Sequence, residues 1–163
     1  MDNLTIRKAE INDLNRIMTI YEIARKFMAE NGNKNQWTNN YPSEEIIKND
    51  IAQNQLYVVE YMGDVHGVFA FIIGEDRTYK IIKNGEWLTD SEYGTIHRVA
   101  SDGQVHNVLN EVIAYCSKQI SHLRIDTHKD NTVMRHLISK NGFSERGIIY
   151  PDDSSERIAF EKI

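Results

Sequence analysis

Thr95-Ile96-His97-Arg98-Val99-Ala100-Ser101-Asp102-Gly103-Gln104-Val105-His106-Asn107-Val108-Leu109-Asn110-Glu111-Val112-Ile113 reads as a β-strand that runs through a short polar loop into an amphipathic helix. Such a junction aims several backbone N–H groups and the positive end of a helix at one point. That is anion-binding geometry. The loop carries one glycine, Gly103, where a phosphate cradle is usually richer in glycine.

Around this junction the chain has 163 residues, 40% hydrophobic and 26% charged, the size and composition of one domain with a single core spanning 1–163. A net charge of -5 and a pI near 5.7 argue against a nucleic-acid partner, which needs clustered Lys and Arg to displace counterions. Met1-Asp2-Asn3-Leu4-Thr5 shows no charged leader with an apolar run behind it, and no window approaches the roughly 18 apolar residues of a membrane span. A soluble cytoplasmic protein is the expectation. The lone Cys116 has no Cys or His at metal-ligand spacing, so it reads as a small apolar helix residue, and no metal site is expected.

Leu4-Thr5-Ile6-Arg7-Lys8 alternates like an edge strand. Leu14, Ile17, Met18, Tyr21, Ala24 and Met28 recur at helical spacing and predict one helix over residues 11–30, ended by Asn31-Gly32-Asn33. Residues 31–42 are Asn-rich, a loop with Trp37 and Tyr41 as its large side chains. Ser43 caps a second helix that buries Ile46, Ile47 and Ile51. Two strands, 55–62 and 65–73, flank a Gly63-Asp64 turn. Residues 74–93 form an aromatic-rich irregular insertion. Strand 95–100 follows, then a helix from about 105 to 119, strand 123–127, and a short helix capped by Asp130 or Asn131 and closed by Asn141-Gly142. Strands 143–149 and 157–162, joined through Pro151-Asp152-Asp153-Ser154, complete a mixed α/β order, β-α-α-β-β-β-α-β-α-β-β.

This order, the strand-loop-helix at 95–116, and Asp130-Asn131 followed by Asn141-Gly142-Phe143 resemble the GNAT superfamily of acetyl-CoA-dependent N-acetyltransferases. Gln36-Trp37 with Tyr41-Pro42, Trp87, Ile96-His97-Arg98-Val99-Ala100-Ser101, Arg124-Ile125-Asp126-Thr127-His128-Lys129-Asp130-Asn131 and Gly147-Ile148-Ile149-Tyr150 are similar to a bacterial subgroup of it. The resemblance implies a mostly antiparallel central sheet of about six to seven strands flanked by about four helices. It implies acetyl-CoA as co-substrate, with pantetheine along Arg98, Val99, Ala100 and Ser101, and pyrophosphate on Gly103, Gln104, Val105, His106, Asn107 and Val108. Asn131 and Met134 complete the implied coenzyme contacts. In the family's Q/R-x-x-G-x-G/A pattern Gln104 fits the first position, whereas Asn107 and Leu109 stand where the small residues belong. Ile138 stands where many members carry a tyrosine acid.

Amine acetylation needs a base, donors for the thioester carbonyl and an acid. His97 is a candidate base, or a core histidine. Asp126 and His128, one strand face apart, form a candidate carboxylate-imidazole pair, or an anchor for the next helix. Tyr150 is a candidate acid, or a packed tyrosine. His106 touches phosphate or is simply solvated, and Asn131 contacts coenzyme or only caps its helix. Trp37, Tyr41, Tyr79, Trp87 and Tyr93 wall an acceptor pocket or pin loops. Glu75, Asp76 and Glu86 attract a cationic amine or are solvated. The expected activity is direct acetyl transfer to a primary amine of a small molecule or peptide, and a homodimer is compatible with it. A catalytically weak domain that binds coenzyme A or another ligand as a sensor, and a partner-binding module, are the alternatives.

Overall fold

In the strand Leu56–Tyr61 (β2) the residues Leu56, Tyr57, Val58 and Val59 are all buried, and their alternation sends them to opposite faces of a sheet. Leu56 and Val58 pack in a core with Ile17, Ile20, Tyr21 and Ala24 of helix α1 (Leu14–Glu30) and Ile47 of helix α2 (Glu44–Ala52). Tyr57 and Val59 pack in a second core with Val112, Ile113 and Cys116 of helix α3 (Val108–Ser117) and Ile138 of helix α4 (Thr132–Lys140). The outcome is a sheet sandwiched between two helix layers. A computed structural model supplies this architecture and describes residues 3–152 and 155–163. Met1 and Asp2 of the N-terminal reading, and Asp153 and Ser154 of the last connection, lie outside the described residues.

The remaining strands are β1 (Thr5–Lys8), β3 (Asp64–Ile73), β4 (Gly94–Ser101), β5 (Leu123–Thr127), β6 (Ser144–Ile149) and β7 (Arg157–Lys162). They form one seven-stranded sheet in the order β1-β2-β3-β4-β5-β7-β6. Among the described residues only β4 and β5 run parallel. The mixed, mostly antiparallel sheet with four helices is the architecture expected above. No helix among the described residues is long and apolar enough to cross a membrane.

Local chemistry corrects three boundaries. The hairpin turn is Met62-Gly63 rather than Gly63-Asp64: Tyr61 pairs with Asp64, and both turn residues have positive φ, 51° and 88°, as a two-residue hairpin of matching twist requires. The first helix opens with a 3-10 turn, Ile11–Asp13, closed by a capping box between Glu10 and Asp13. Helix α3 starts at Val108, not near Val105, because Asn107 sits at φ 64°, a left-handed conformation that no α-helix continues through. At α4 the cap is Asn131, whose side chain accepts from Met134 N. The 74–93 insertion is irregular as expected, apart from a 3-10 turn at Arg77–Tyr79, and its Lys83 pairs with Ile148 at the β6 edge.

Candidate functional site

The site grows out of two irregularities in β4. First, its pairing with β5 covers only Gly94, Thr95 and Ile96, and the parallel strands then diverge. The β5-facing backbone edge of β4 beyond Ile96 is thereby left open. Second, Val68 pairs with Ala100 and Ala70 with His97, so β4 carries one more residue than β3 between these pairs, a bulge at Arg98 and Val99. Arg98 has φ 51°.

The bulge resets the side-chain alternation. Ile96 packs in the α3/α4 core, and strict alternation would place Ala100 there as well, yet Ala100 belongs to the α1/α2 core and Val99 packs against the other. His97 and Arg98, consecutive residues, consequently both line one cavity of about 660 Å³ at the mouth of the β4-β5 splay. Arg98 is held there from behind. Its Nε and Nη2 bind the two carboxylate oxygens of the buried Asp50 at 2.9 and 3.0 Å, and its carbonyl accepts from Tyr21 Oη at 2.8 Å. The Arg98 side chain is thus committed to α2 and to Tyr41 rather than to a coenzyme, and its backbone is what remains to offer one.

His97 Nε2 lies 2.7 Å from Asp76 Oδ2. The carboxylate has no proton to give, so Nε2 carries the hydrogen and Nδ1 keeps the basic lone pair. Nδ1 has no hydrogen-bond partner among the described residues. Asp76 is itself fixed: its Oδ1 accepts from Thr78 N and Oγ1 at 2.9 and 2.7 Å, and its N–H donates to Tyr93 Oη at 2.8 Å. Burial alone would raise the Asp76 carboxyl, but the His97 and Thr78 hydrogen bonds outweigh it and hold the group well below the usual carboxylate range.

Other expected residues fall differently. Asp126 lines the cavity but accepts from Tyr79 Oη at 2.6 Å and lies 3.9 Å from Arg157 Nε. His128 instead engages Asp130, accepting its N–H at 3.1 Å, so the suggested Asp126-His128 pair gives way to a turn anchor ahead of α4. Tyr150 lies outside the cavity lining and donates to Glu156 at 3.2 Å. Trp37 and Tyr41 wall the cavity. Tyr79, Trp87 and Tyr93 do not: they pack around the insertion, with the Arg124 guanidinium 3.9 Å from both the Trp87 and Tyr93 ring centroids. Burial and the adjacent Asp126 keep the Tyr79 hydroxyl protonated far above its ordinary range, which makes it a donor and no acid.

The coenzyme suggested by the sequence can be tested against this framework. An extended amide arm needs unpaired strand backbone, and β4 beyond Ile96 provides it on the β5 side. A diphosphate needs open N–H groups, and the first turn of α3 receives no side-chain cap from Asn107. Asn107 keeps the left-handed loop shape that a glycine would supply there. Leu109 is buried in the core and does not stand over the helix end. The earlier loop amides are less available: Gly103 N donates to Ser101 Oγ and Gln104 N to Asp102 Oδ1, at 3.1 and 2.9 Å. Val105 packs in the core, and Met134 lines the cavity. The residues fit the group, with the helix turn rather than the loop as its main anion donor. Asn131 caps α4 and donates to Gln36 Oε1 at 3.1 Å. Ile138 is fully buried, so no side chain there reaches the cavity.

Sequence reading missed Gln36, Asp50 and Arg157 as builders of the site. Gln36 Oε1 accepts from the Asn33 and Asn131 amides and its carbonyl from Arg157 Nη2 at 2.8 Å, tying the 31–42 loop to β7 and α4. Gln36-Trp37 carries part of the subgroup resemblance, but a polar residue within an Asn-rich loop has no spacing that points to such a role. For Asp76 a signal existed: Asp76-Arg77-Thr78 is the spacing of a side-chain-closed turn, which immobilises a carboxylate.

No protein-family model and no curated protein matches the chain. Solved structures do. A GNAT-family acetyltransferase from Streptococcus agalactiae is 29% identical, with 100% of this chain and 97% of that one covered at a TM-score of 0.88. A putative acetyltransferase from Staphylococcus aureus is 23% identical over 97% of each chain, TM-score 0.67. A GNAT-family acetyltransferase from Listeria monocytogenes is 14% identical, with 99% and 97% covered, TM-score 0.73.

Proposed function

We propose that this chain, which has the GNAT acetyltransferase fold, moves an acetyl group from acetyl-CoA to the primary amine of a small molecule or peptide by direct transfer, as one cytoplasmic domain over 1–163. The observation that carries the reading is the His97-Asp76 pair, set at the point where β4 leaves β5. A base oriented by a carboxylate belongs where an amine must lose its proton.

Acetyl-CoA, when bound, supplies the reactive thioester carbonyl. The protein's own part begins with the cavity walls, where Trp37 and Tyr41 exclude water from the acceptor. His97 Nδ1 receives the ammonium proton, and Asp76 at Nε2 keeps the ring in the productive tautomer and steadies the imidazolium that forms. Arg98 backbone and the following β4 edge align the coenzyme arm, while the α3 first turn holds its phosphates. Tyr41 is the one tyrosine lining the cavity among the described residues, so a proton for the departing thiolate comes from it or from solvent.

A thiol-release assay with acetyl-CoA and an amine panel tests this. Burial pushes the Cys116 thiol up to about 12, so the folded protein adds no thiol background. Turnover of at least one amine, lost in His97→Ala, is the expected result; thermal stabilisation by acetyl-CoA without turnover of any amine would leave the sensor reading, which the buried Ile138 in place of an acid favours.

A further inference from the structure

The charges lining the main cavity are already matched. Asp76 faces His97, Asp126 faces Arg157, Arg98 is neutralised by Asp50, and Arg77 pairs with Asp152. A substrate group of either sign finds no unpaired charge there. Beside it, sharing Met28, Trp37 and Asn39 as common wall, opens a second cleft of about 280 Å³. Its lining is of one sign: Arg25 and Lys26 from the last turns of α1 and Lys34 from the following loop, with no carboxylate among the residues around it. Lys26 and Lys34 are exposed and make no ion pair among the described residues, and Arg25 bonds only the Tyr41 carbonyl, at 3.2 Å. In a chain of net charge -5, three cations with no carboxylate among the lining residues give the cleft a local positive field, although Glu22 and Glu30 stand one turn from Lys26 on α1.

We infer that this cleft receives an anionic group, a carboxylate or a phosphate, at the far end of the acceptor, so that the substrate class is a primary amine with an acidic tail. The inference rests on the acetyl-transfer reading above. The tail passes Trp37 and Met28, which line both spaces, and sits among Arg25, Lys26 and Lys34, while the amine stays with His97. The arrangement discriminates by tail charge and leaves the reacting end untouched.

Three amines of one length test it: ω-aminohexanoate, aminohexyl phosphate and the neutral ω-aminohexanamide. Expected is a kcat/KM for the two anionic amines about tenfold above the amide, two exposed charge contacts being worth roughly that factor, with the ratio falling to near one in K26E/K34E and with rising salt. Equal use of all three by the unaltered protein, or a preference that survives the double reversal, overturns the inference while leaving acetyl transfer standing. Should none of the three be acetylated, acetyl transfer is still judged by the wider amine panel, and the cleft is judged by titration with glutarate against glutaramide followed by thermal shift. Saturable stabilisation by glutarate alone, abolished in K26E/K34E, upholds an anion site; no stabilisation overturns it.

Discussion

His97 and Asp76, 21 positions apart in the chain, meet at 2.7 Å across the mouth of the β4-β5 splay, and Asp76 is locked there by the Thr78 amide and hydroxyl. One residue comes from a strand and the other from the start of an irregular insertion.

Their roles separate by rate. His97→Ala removes the proton acceptor and should lower kcat by roughly 10²- to 10⁴-fold, the usual yield of general-base catalysis. Asp76→Asn keeps the imidazole but loses its orientation and should cost less, about tenfold to a hundredfold. Steady-state kinetics with acetyl-CoA saturating check both. A His97→Ala protein that retains the parent rate would remove His97 from the chemistry.

Asp76 also sets an acid limit. Its carboxyl is depressed in the folded protein, so the stability it contributes is complete above the unfolded value near 3.9 and is lost as the pH falls through and below it. Urea unfolding should show a higher midpoint for the parent than for Asp76→Asn at pH 7, an advantage still present at about pH 5 and shrinking below about pH 4. A gap that persists unchanged at about pH 3 would mean it has another origin.

At Asn107 the backbone stands at φ 64°. Asn107→Gly should stay within about 0.5 kcal/mol of the parent, whereas Asn107→Val forces a β-branched residue into the left-handed region and should cost about 1–2 kcal/mol. Thermal melts measure the cost. The same melts with acetyl-CoA added ask whether the strained loop still binds, and equal stabilisation of all three proteins would argue against phosphate contact at this turn.

Arg124 is buried between Trp87 and Tyr93 and shares the fully buried Glu161 with His122, whose Nε2 is 2.6 Å from the carboxylate. Arg124→Met strands part of that carboxylate's charge and should destabilise by about 3 kcal/mol. Adding Glu161→Gln should recover part of the loss, because the uncompensated charge leaves with it. Chemical denaturation of the single and double variants decides, and a neutral Arg124→Met would show that packing alone holds the 74–93 insertion.

Much of the fold is legible in apolar periodicity. Ile17, Met18, Tyr21 and Ala24 mark α1, and the unbroken apolar run of β2 marks a strand buried on both faces, since burial imposes its period directly on the side chains. The site is less legible. His97 and Trp37 stand out by residue type, but Asp126 and His128 look paired by alternation and engage Tyr79 and Asp130 respectively. Alternation places side chains on a face and does not choose their partners.

The sequence by itself determined the mixed α/β element order and the strand-loop-helix junction at 95–113, because each follows from the spacing of neighbouring residues along the chain, whereas the mostly antiparallel sheet came only from the family resemblance. Only the tertiary structure decided that the bulge at Arg98 turns His97 and Arg98 to one side, that Asp76 arrives beside His97, and that Arg25, Lys26 and Lys34 share a wall with the reaction cavity. A bulge is a mismatch between two strands, and a carboxylate-imidazole pair or a cationic cleft is a meeting of distant segments. Those relations are set by how the layers pack.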